Sequence, residues 1–144
     1  MLIGSYTAIL SPKRRIAIPK KFLNQLGLKP ILAKWYEGCL VLVARKSWEA
    51  LLKRLTGEEK IITRAQRDTD RFILASAYEL FPDKQGRVII PEQIASYAGI
   101  KNEAVFLGLG DRVEIWDKNA WKTREEYVAK EAAELLERLS KKNE

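Results

Sequence analysis

Histidine is absent from the sequence, and cysteine occurs once, as Cys39. Without histidine there is no Ser-His-Asp or Cys-His nucleophile, no H-E-x-x-H zinc site and no C2H2 zinc finger. A lone cysteine closes no intrachain disulfide and forms no C-x-x-C pair. Its place beside Leu40 to Val43 reads as a buried thiol in a reduced, cytosolic chain. Long apolar runs are missing too. The longest, Cys39 to Ala44, falls far short of the roughly 18 residues of a membrane span, and Met1 to Gly4 lacks the basic and apolar regions of a secretory signal. No metal, cofactor, membrane or small-molecule substrate is expected. An enzyme would have to rely on Asp83, Asp111, Tyr78 or lysines, and no pair of these has a spacing that specifies a reaction.

What the chain does have is positive charge, unevenly spread. Lys and Arg number 26 against 19 Asp and Glu, giving +7, a balance that favours polyanionic partners. Ser11 to Lys21 holds Lys13, Arg14, Arg15, Lys20 and Lys21 without an acid, giving +5, whereas Asp83 to Gln93 and Asp117 to Glu144 are each neutral. A mixed charge run is ordinarily a solvated face, and that reading suits the C-terminal segment. It does not suit the first turn, whose charge is of one sign.

An internal repeat organises the chain. A shift of 72 residues places Tyr6 on Tyr78, Arg15 on Arg87, Ile18 on Ile90, Pro19 on Pro91 and Gly27 on Gly99; one more residue of slip aligns Trp48 with Trp121. Each copy reads ββαββ. A strand (Tyr6 to Leu10; Tyr78 to Phe81) enters a hairpin-like turn, and a second strand follows (Arg15 to Ile18; Arg87 to Ile90). Pro19 and Pro91 suit the first position of a helix that Gly27 and Gly99 stop. Two more strands close each unit: Ile31 to Ala33 with Cys39 to Val43, and Val105 to Leu107 with Val113 to Trp116. Units of this size rarely fold alone, so the two are expected to pair into one pseudo-twofold body.

Helices follow each unit. Trp48, Leu51, Leu52 and Leu55 form one apolar stripe, and Ile61, Ala65, Thr69, Phe72 and Ile73 form another. The last helix carries Trp121, Val128, Ala132, Leu135, Leu136 and Leu139, with Glu126/Lys130, Glu134/Arg138 and Glu137/Lys141 at i, i+4. Its stripe packs either on its own barrel or on another subunit. The expected division is 1–57 for the first repeat with its helix, 58–75 for a linker helix, 76–117 for the second repeat and 118–144 for the C-terminal helix. The fold class is α+β with a mainly β core.

The two turns, Ser11-Pro12-Lys13-Arg14-Arg15 and Asp83-Lys84-Gln85-Gly86-Arg87, both end in arginine. An arginine fork can bond a guanine edge bidentately in the major groove while neighbouring lysines meet phosphates. In the second turn Asp83 can cap the loop amides or hold Arg87, and Gly86 can supply a positive φ. A turn-stabilising Asp–Arg pair is the competing, purely structural reading.

A D-x-x-G-R turn followed by aliphatics and Pro91, repeated about 70 residues apart, and the stretch Gly110-Asp111-Arg112-Val113-Glu114-Ile115-Trp116-Asp117 resemble the MraZ family of bacterial transcriptional regulators. The likeness covers nearly the whole chain. It implies two AbrB-like swapped-hairpin halves forming one barrel, ring-shaped homo-oligomers, and a cytoplasmic, nucleoid-associated repressor. That repressor would act on a division and cell-wall gene cluster through repeated boxes in double-stranded DNA. The family's D-x-x-x-R arginines carry over to Arg15 and Arg87, with Lys13, Arg14, Lys20, Lys84 and Gln85 beside them as DNA-binding candidates and Asp83 and Gly86 as structural turn residues. The first turn departs from the pattern, since Ser11 stands for the usual Asp and Arg14 for a small residue or Asn. The alternative is an AbrB-like antitoxin or protein-interaction module that grips a partner with its long last helix.

Overall fold

A computed structural model describes residues 1–57 and 62–142. The first half runs β1 (Leu2–Ile9), β2 (Arg15–Ala17), α1 (Lys20–Leu26), β3 (Ile31–Lys34), β4 (Leu40–Val43), α2 (Trp48–Thr56) and α3 (Arg64–Ile73). The second runs β5 (Tyr78–Glu79), β6 (Arg87–Ile89), α4 (Glu92–Ala98), β7 (Glu103–Gly110), β8 (Val113–Asp117) and α5 (Lys118–Lys142).

The strands form a mainly antiparallel architecture in which the copies interlock. One sheet has the order β1-β7-β8-β4-β3-β5, and β2 and β6 form a separate two-stranded ribbon. Tyr6 of the first copy pairs with Phe106 of the second, and Tyr78 of the second pairs with Leu32 of the first. The strands that flank each turn therefore do not pair with each other. Each turn is closed by its own backbone bonds, Ser11 N–H to the Arg15 carbonyl at 2.9 Å and Asp83 N–H to the Arg87 carbonyl at 3.0 Å, but beyond it the strands diverge, β1 to β7 and β2 to β6, so no hairpin ladder continues from either turn.

Burial explains why β4 reads as an unbroken apolar run. Side chains alternate along a strand: Leu40 and Leu42 enter a core with Phe22, Ile90 and Phe106, beneath the ribbon and α1 and α4. Val41 and Val43 face the other way, into a second core with Trp35, Leu51, Ile73 and Trp116 under α2, α3 and the start of α5. Both faces of the sheet are covered, and alternation in polarity disappears.

Pro19 and Pro91 cap α1 and α4 rather than occupy their first helical turns. Both keep extended backbone, with ψ of 134° and 141°, and their carbonyls accept the first helical amides, Leu23 to Pro19 at 3.0 Å and Ala95 to Pro91 at 3.0 Å. Trp48, Leu52 and Leu55 pack on the second core as their spacing predicts. Ile61, read as the start of the next stripe, lies outside the described residues, as do the first four residues of the expected linker. α3 opens instead on a capping box, in which Thr63 Oγ1 accepts from Gln66 N–H and the Gln66 side chain accepts from Thr63 N–H.

α5 packs only near its beginning. Trp121 lies 5.4 Å from Trp116, ring centre to ring centre, and no residue of the helix is fully buried. Val128, Leu136 and Leu139 are exposed. Among the described residues Glu134–Arg138 is the one expected i, i+4 pair that closes, at 2.7 Å. Packing on the chain's own core thus accounts for Trp121 and leaves the later stripe uncovered.

Candidate nucleic-acid interface

The β2–β6 ribbon brings the two predicted arginines onto one surface. Its pairs are Arg15 with Ile89, Ile16 with Val88 and Ala17 with Arg87, so the pseudo-twofold passes through the middle pair. Ile16 and Val88 point into the core, and Arg15, Ala17, Arg87 and Ile89 point out. Two open clefts flank the arginines, and both are lined by Arg15 and Arg87. One, of about 510 Å³, adds Ile9, Ser11, Lys13 and Ala17. The other, of about 360 Å³, adds Phe81, Asp83, Glu79 and Ile89. A two-stranded ribbon of this kind has the width to enter a major groove.

The two turns hold their arginines differently. Asp83 organises the second. Its Oδ1 accepts from the Gln85 and Arg87 amides, each at 2.9 Å, and its Oδ2 accepts from Arg87 Nε at 2.9 Å. The Arg87 amide, joined by the Arg87 guanidinium and the Gln85 amide, holds this carboxyl below its ordinary value. Asp83 thus bonds the loop amides and the Arg87 guanidinium at the same time. In the first turn Ser11 Oγ accepts the Arg15 amide at 3.0 Å, but a hydroxyl leaves the guanidinium unrestrained. Among the described residues no carboxylate lies within salt-bridge distance of Lys13, Arg14, Arg15, Lys20 or Lys21.

Arg14 differs from its neighbours. Its backbone is left-handed, with φ 60°, and its Nε donates to the Ile90 carbonyl at 3.0 Å, so part of this side chain ties the first turn to the second copy. Lys13, Lys84 and Gln85 are exposed on the turns. Lys20 is exposed at the first residue of α1, where the corresponding residue of α4 is Glu92. A helix N-terminus favours the acid over the lysine, so Lys20 does not stabilise its own helix.

Sequence reasoning missed the aliphatic members of this surface, Ile89, Ala17 and Ile9, and the exposed Phe81. The strict alternation Arg15-Ile16-Ala17 and Arg87-Val88-Ile89 carried the signal for the first two. The Gly110 to Asp117 stretch has another place altogether. Glu114 is buried, accepts from Trp116 Nε1 at 3.0 Å and lies 3.6 Å from Arg112 Nε. Arg112 bonds Asp111 at 3.0 Å, and Asp111 also pairs with Arg54 of α2. This network fastens the β7–β8 corner to α2. Burial, with the Glu114 carboxylate adding to it, pushes the nearby Cys39 thiol well above its ordinary value, which leaves it inert as a nucleophile. Among the described residues no group of His, Cys, Asp or Glu is arranged for a metal, and no helix is long and apolar enough to cross a membrane.

Two stretches, residues 1–72 and 73–143, match the family model described as "MraZ protein, putative antitoxin-like". The chain is 37% identical over 142 residues to the "Transcriptional regulator MraZ" of Caldicellulosiruptor bescii, covering 96% of this chain and 99% of that protein. It is 40% identical over 130 residues to the protein of that name from Thermoanaerobacter sp., covering 88% and 86% of the two chains. For the one from Leuconostoc citreum, identity is 36% over 139 residues, and coverage is 96% of both.

Proposed function

The chain belongs to the MraZ family, and on that premise we propose that it is a sequence-specific, DNA-binding transcriptional regulator. The observation that carries this reading is the placement of Arg15 and Arg87 on the outward face of one ribbon, beside a segment, Ser11 to Lys21, whose five cations lack carboxylate partners among the described residues. In this reading the arginines bond guanine edges, Lys13 and Lys20 meet phosphates, Lys84 and Gln85 border the second contact, and Asp83 and Gly86 shape it. The finer architecture is an AbrB-like swapped-hairpin barrel. Its support is the exchange of β1 onto β7 and of β5 onto β3. The division into 1–57, 58–75, 76–117 and 118–144 belongs to the same proposal.

One ribbon covers a few base pairs, so useful specificity calls for several subunits on repeated boxes. We therefore assign a ring-like homo-oligomer, acting in the cytoplasm at the nucleoid as repressor of a division and cell-wall gene cluster. The uncovered apolar stripe of α5 is a candidate seam between subunits. That same stripe favours a second reading, an antitoxin-like or protein-interaction module that holds a partner through α5. Selection of bound sequences from random DNA at two salt concentrations tests the first reading. Recovery of a spaced, guanine-containing motif supports it, and recovery of unselected sequence removes it. Gel shifts with a chain cut after Asp117 separate the two, because an antitoxin loses its partner and a repressor mainly its assembly.

A further inference from the structure

The outward face of the ribbon carries two aliphatic side chains beside its arginines, and the contacts assigned above use neither. Ile89 stands opposite Arg15, and Ala17 stands opposite Arg87. Ile89 is 52% exposed, although Val88 and Ile90 on either side fill the core. A single exposed isoleucine is common on protein surfaces, and β-branched residues suit strands. Here the molecule contains its own control. The pseudo-twofold carries Ile89 onto Ala17, and the ribbon forms with alanine at that place. Bulk at position 89 is not something the strand requires. It faces a cleft shared with Arg15, Arg87 and the exposed Phe81.

We infer that Ile89 is a specificity-determining residue that packs on the C5-methyl of a thymine next to the guanine bound by Arg15; this rests on the DNA-binding reading above. Directly opposed residues of an antiparallel pair have Cβ atoms about 4.5–5.5 Å apart, and base pairs stack about 3.4 Å apart. Ile89 therefore lies over a base pair one or two steps from the one that Arg15 engages. In the major groove the thymine methyl is the apolar group that a base edge presents, and the other edges carry donors and acceptors. Those polar groups would lose water against an isoleucine without gaining a partner. Ala17 covers less of any methyl it meets, so the discrimination is stronger at the Arg15 end of the ribbon than at the Arg87 end.

The test uses the full chain and a duplex recovered by selection from random DNA, with each thymine in turn replaced by uracil, which removes only the methyl. Fluorescence anisotropy should show one position at which the wild type loses about fourfold in affinity, the worth of one buried methyl. Ile89→Ala should bind the unmodified duplex about fourfold more weakly and ignore uracil at that position. Its melting temperature should match the wild type, because alanine already occupies the corresponding place at residue 17. Tight wild-type binding that is indifferent to uracil throughout overturns the inference and leaves DNA binding standing. Ile89→Ala that still discriminates against uracil overturns it as well. A chain that binds no duplex removes the DNA-binding reading, and this inference with it.

Discussion

Arg14 and Gly86 hold the same place in the two turns, one on each side of the pseudo-twofold, and both have left-handed backbone, with φ of 60° and 75°. The Arg14 carbonyl accepts from Ile90 N–H at 2.8 Å, and the Gly86 carbonyl accepts from Ile18 N–H at 2.9 Å. Only at Gly86 does space call for glycine: a Cβ there would lie 2.8 Å from Leu23 Cδ2. In the other copy the residue that corresponds to Leu23 is the smaller Ala95.

Gly86→Ala should therefore destabilise the fold by about 1–3 kcal/mol, from left-handed strain and the clash together. The same substitution should cost less in a Leu23→Ala background, and a thermal-denaturation cycle measures the difference. Arg14→Gly should change stability by less than about 1 kcal/mol, since relief of backbone strain is offset by the lost Ile90 bond and the added chain entropy.

Arg15→Ala should weaken DNA binding by about 1–3 kcal/mol and relax one base position, and Arg87→Ala should weaken it less. The segment Ser11 to Lys21 concentrates +5, whereas Asp83 to Gln93 is neutral and shares Arg87 with Asp83. Preorganisation by Asp83 works in the opposite direction, by lowering the ordering cost at Arg87. Equal losses in a titration of both variants would mean that the two effects cancel and that the proposed asymmetry is wrong.

Lys13 and Lys20 should act on phosphates, because an ammonium is a point charge with little geometric selectivity. Removing either should flatten the slope of log K against log salt by about 0.9 for each protein copy in contact, with base preference unaltered. An unchanged slope would exclude the residue from the backbone contacts.

Acidification should loosen the second turn and leave the first alone. The Asp83 carboxyl is held below its ordinary value of 3.8, so the restraint it provides is fully present above that value. It is lost as the pH falls through the lower, folded-state value. Ser11 does not titrate. Nuclear magnetic resonance of the Gln85 and Arg87 amides should report the transition, and Asp83→Asn should abolish it.

Leu135→Asp combined with Leu139→Asp should shrink the assembly seen by light scattering and reduce the advantage of several boxes over one. An oligomer untouched by both aspartates would place the seam elsewhere on the molecule. A wild-type monomer that binds one box as tightly as three would end the assembly proposal.

Much of this architecture is legible in the sequence because its elements are locally encoded. Gly27 and Gly99 end their helices where the sequence places the stops, and the heptad-like stripe of α2 finds the core that it implies. Partner choice is different, because it is decided by contacts far apart along the chain. β1 and β2 are separated by a short turn and look like a hairpin, yet each pairs with a strand from the other copy, and that arrangement closes both cores. The repeat sets Arg14 on Gly86 and so marks the middle cation of Lys13-Arg14-Arg15 as the one with a left-handed backbone. Nothing in the sequence says that its side chain bonds back to Ile90.

The exchange of strands between copies also dictates how the protein is made. β1 pairs with β7, from Ile9 with Glu103 to Leu2 with Gly110, so β1 leaves the ribosome about 100 residues before the strand it needs. At translation speeds of about 5–20 residues per second, that wait is on the order of 5–20 s. During it a nascent first half exposes an unpaired edge and half a core, the condition under which chains on neighbouring ribosomes exchange strands or recruit a chaperone. Joining both copies in one polypeptide limits the hazard, because each β1 travels with its own partner and the closing contact is intramolecular.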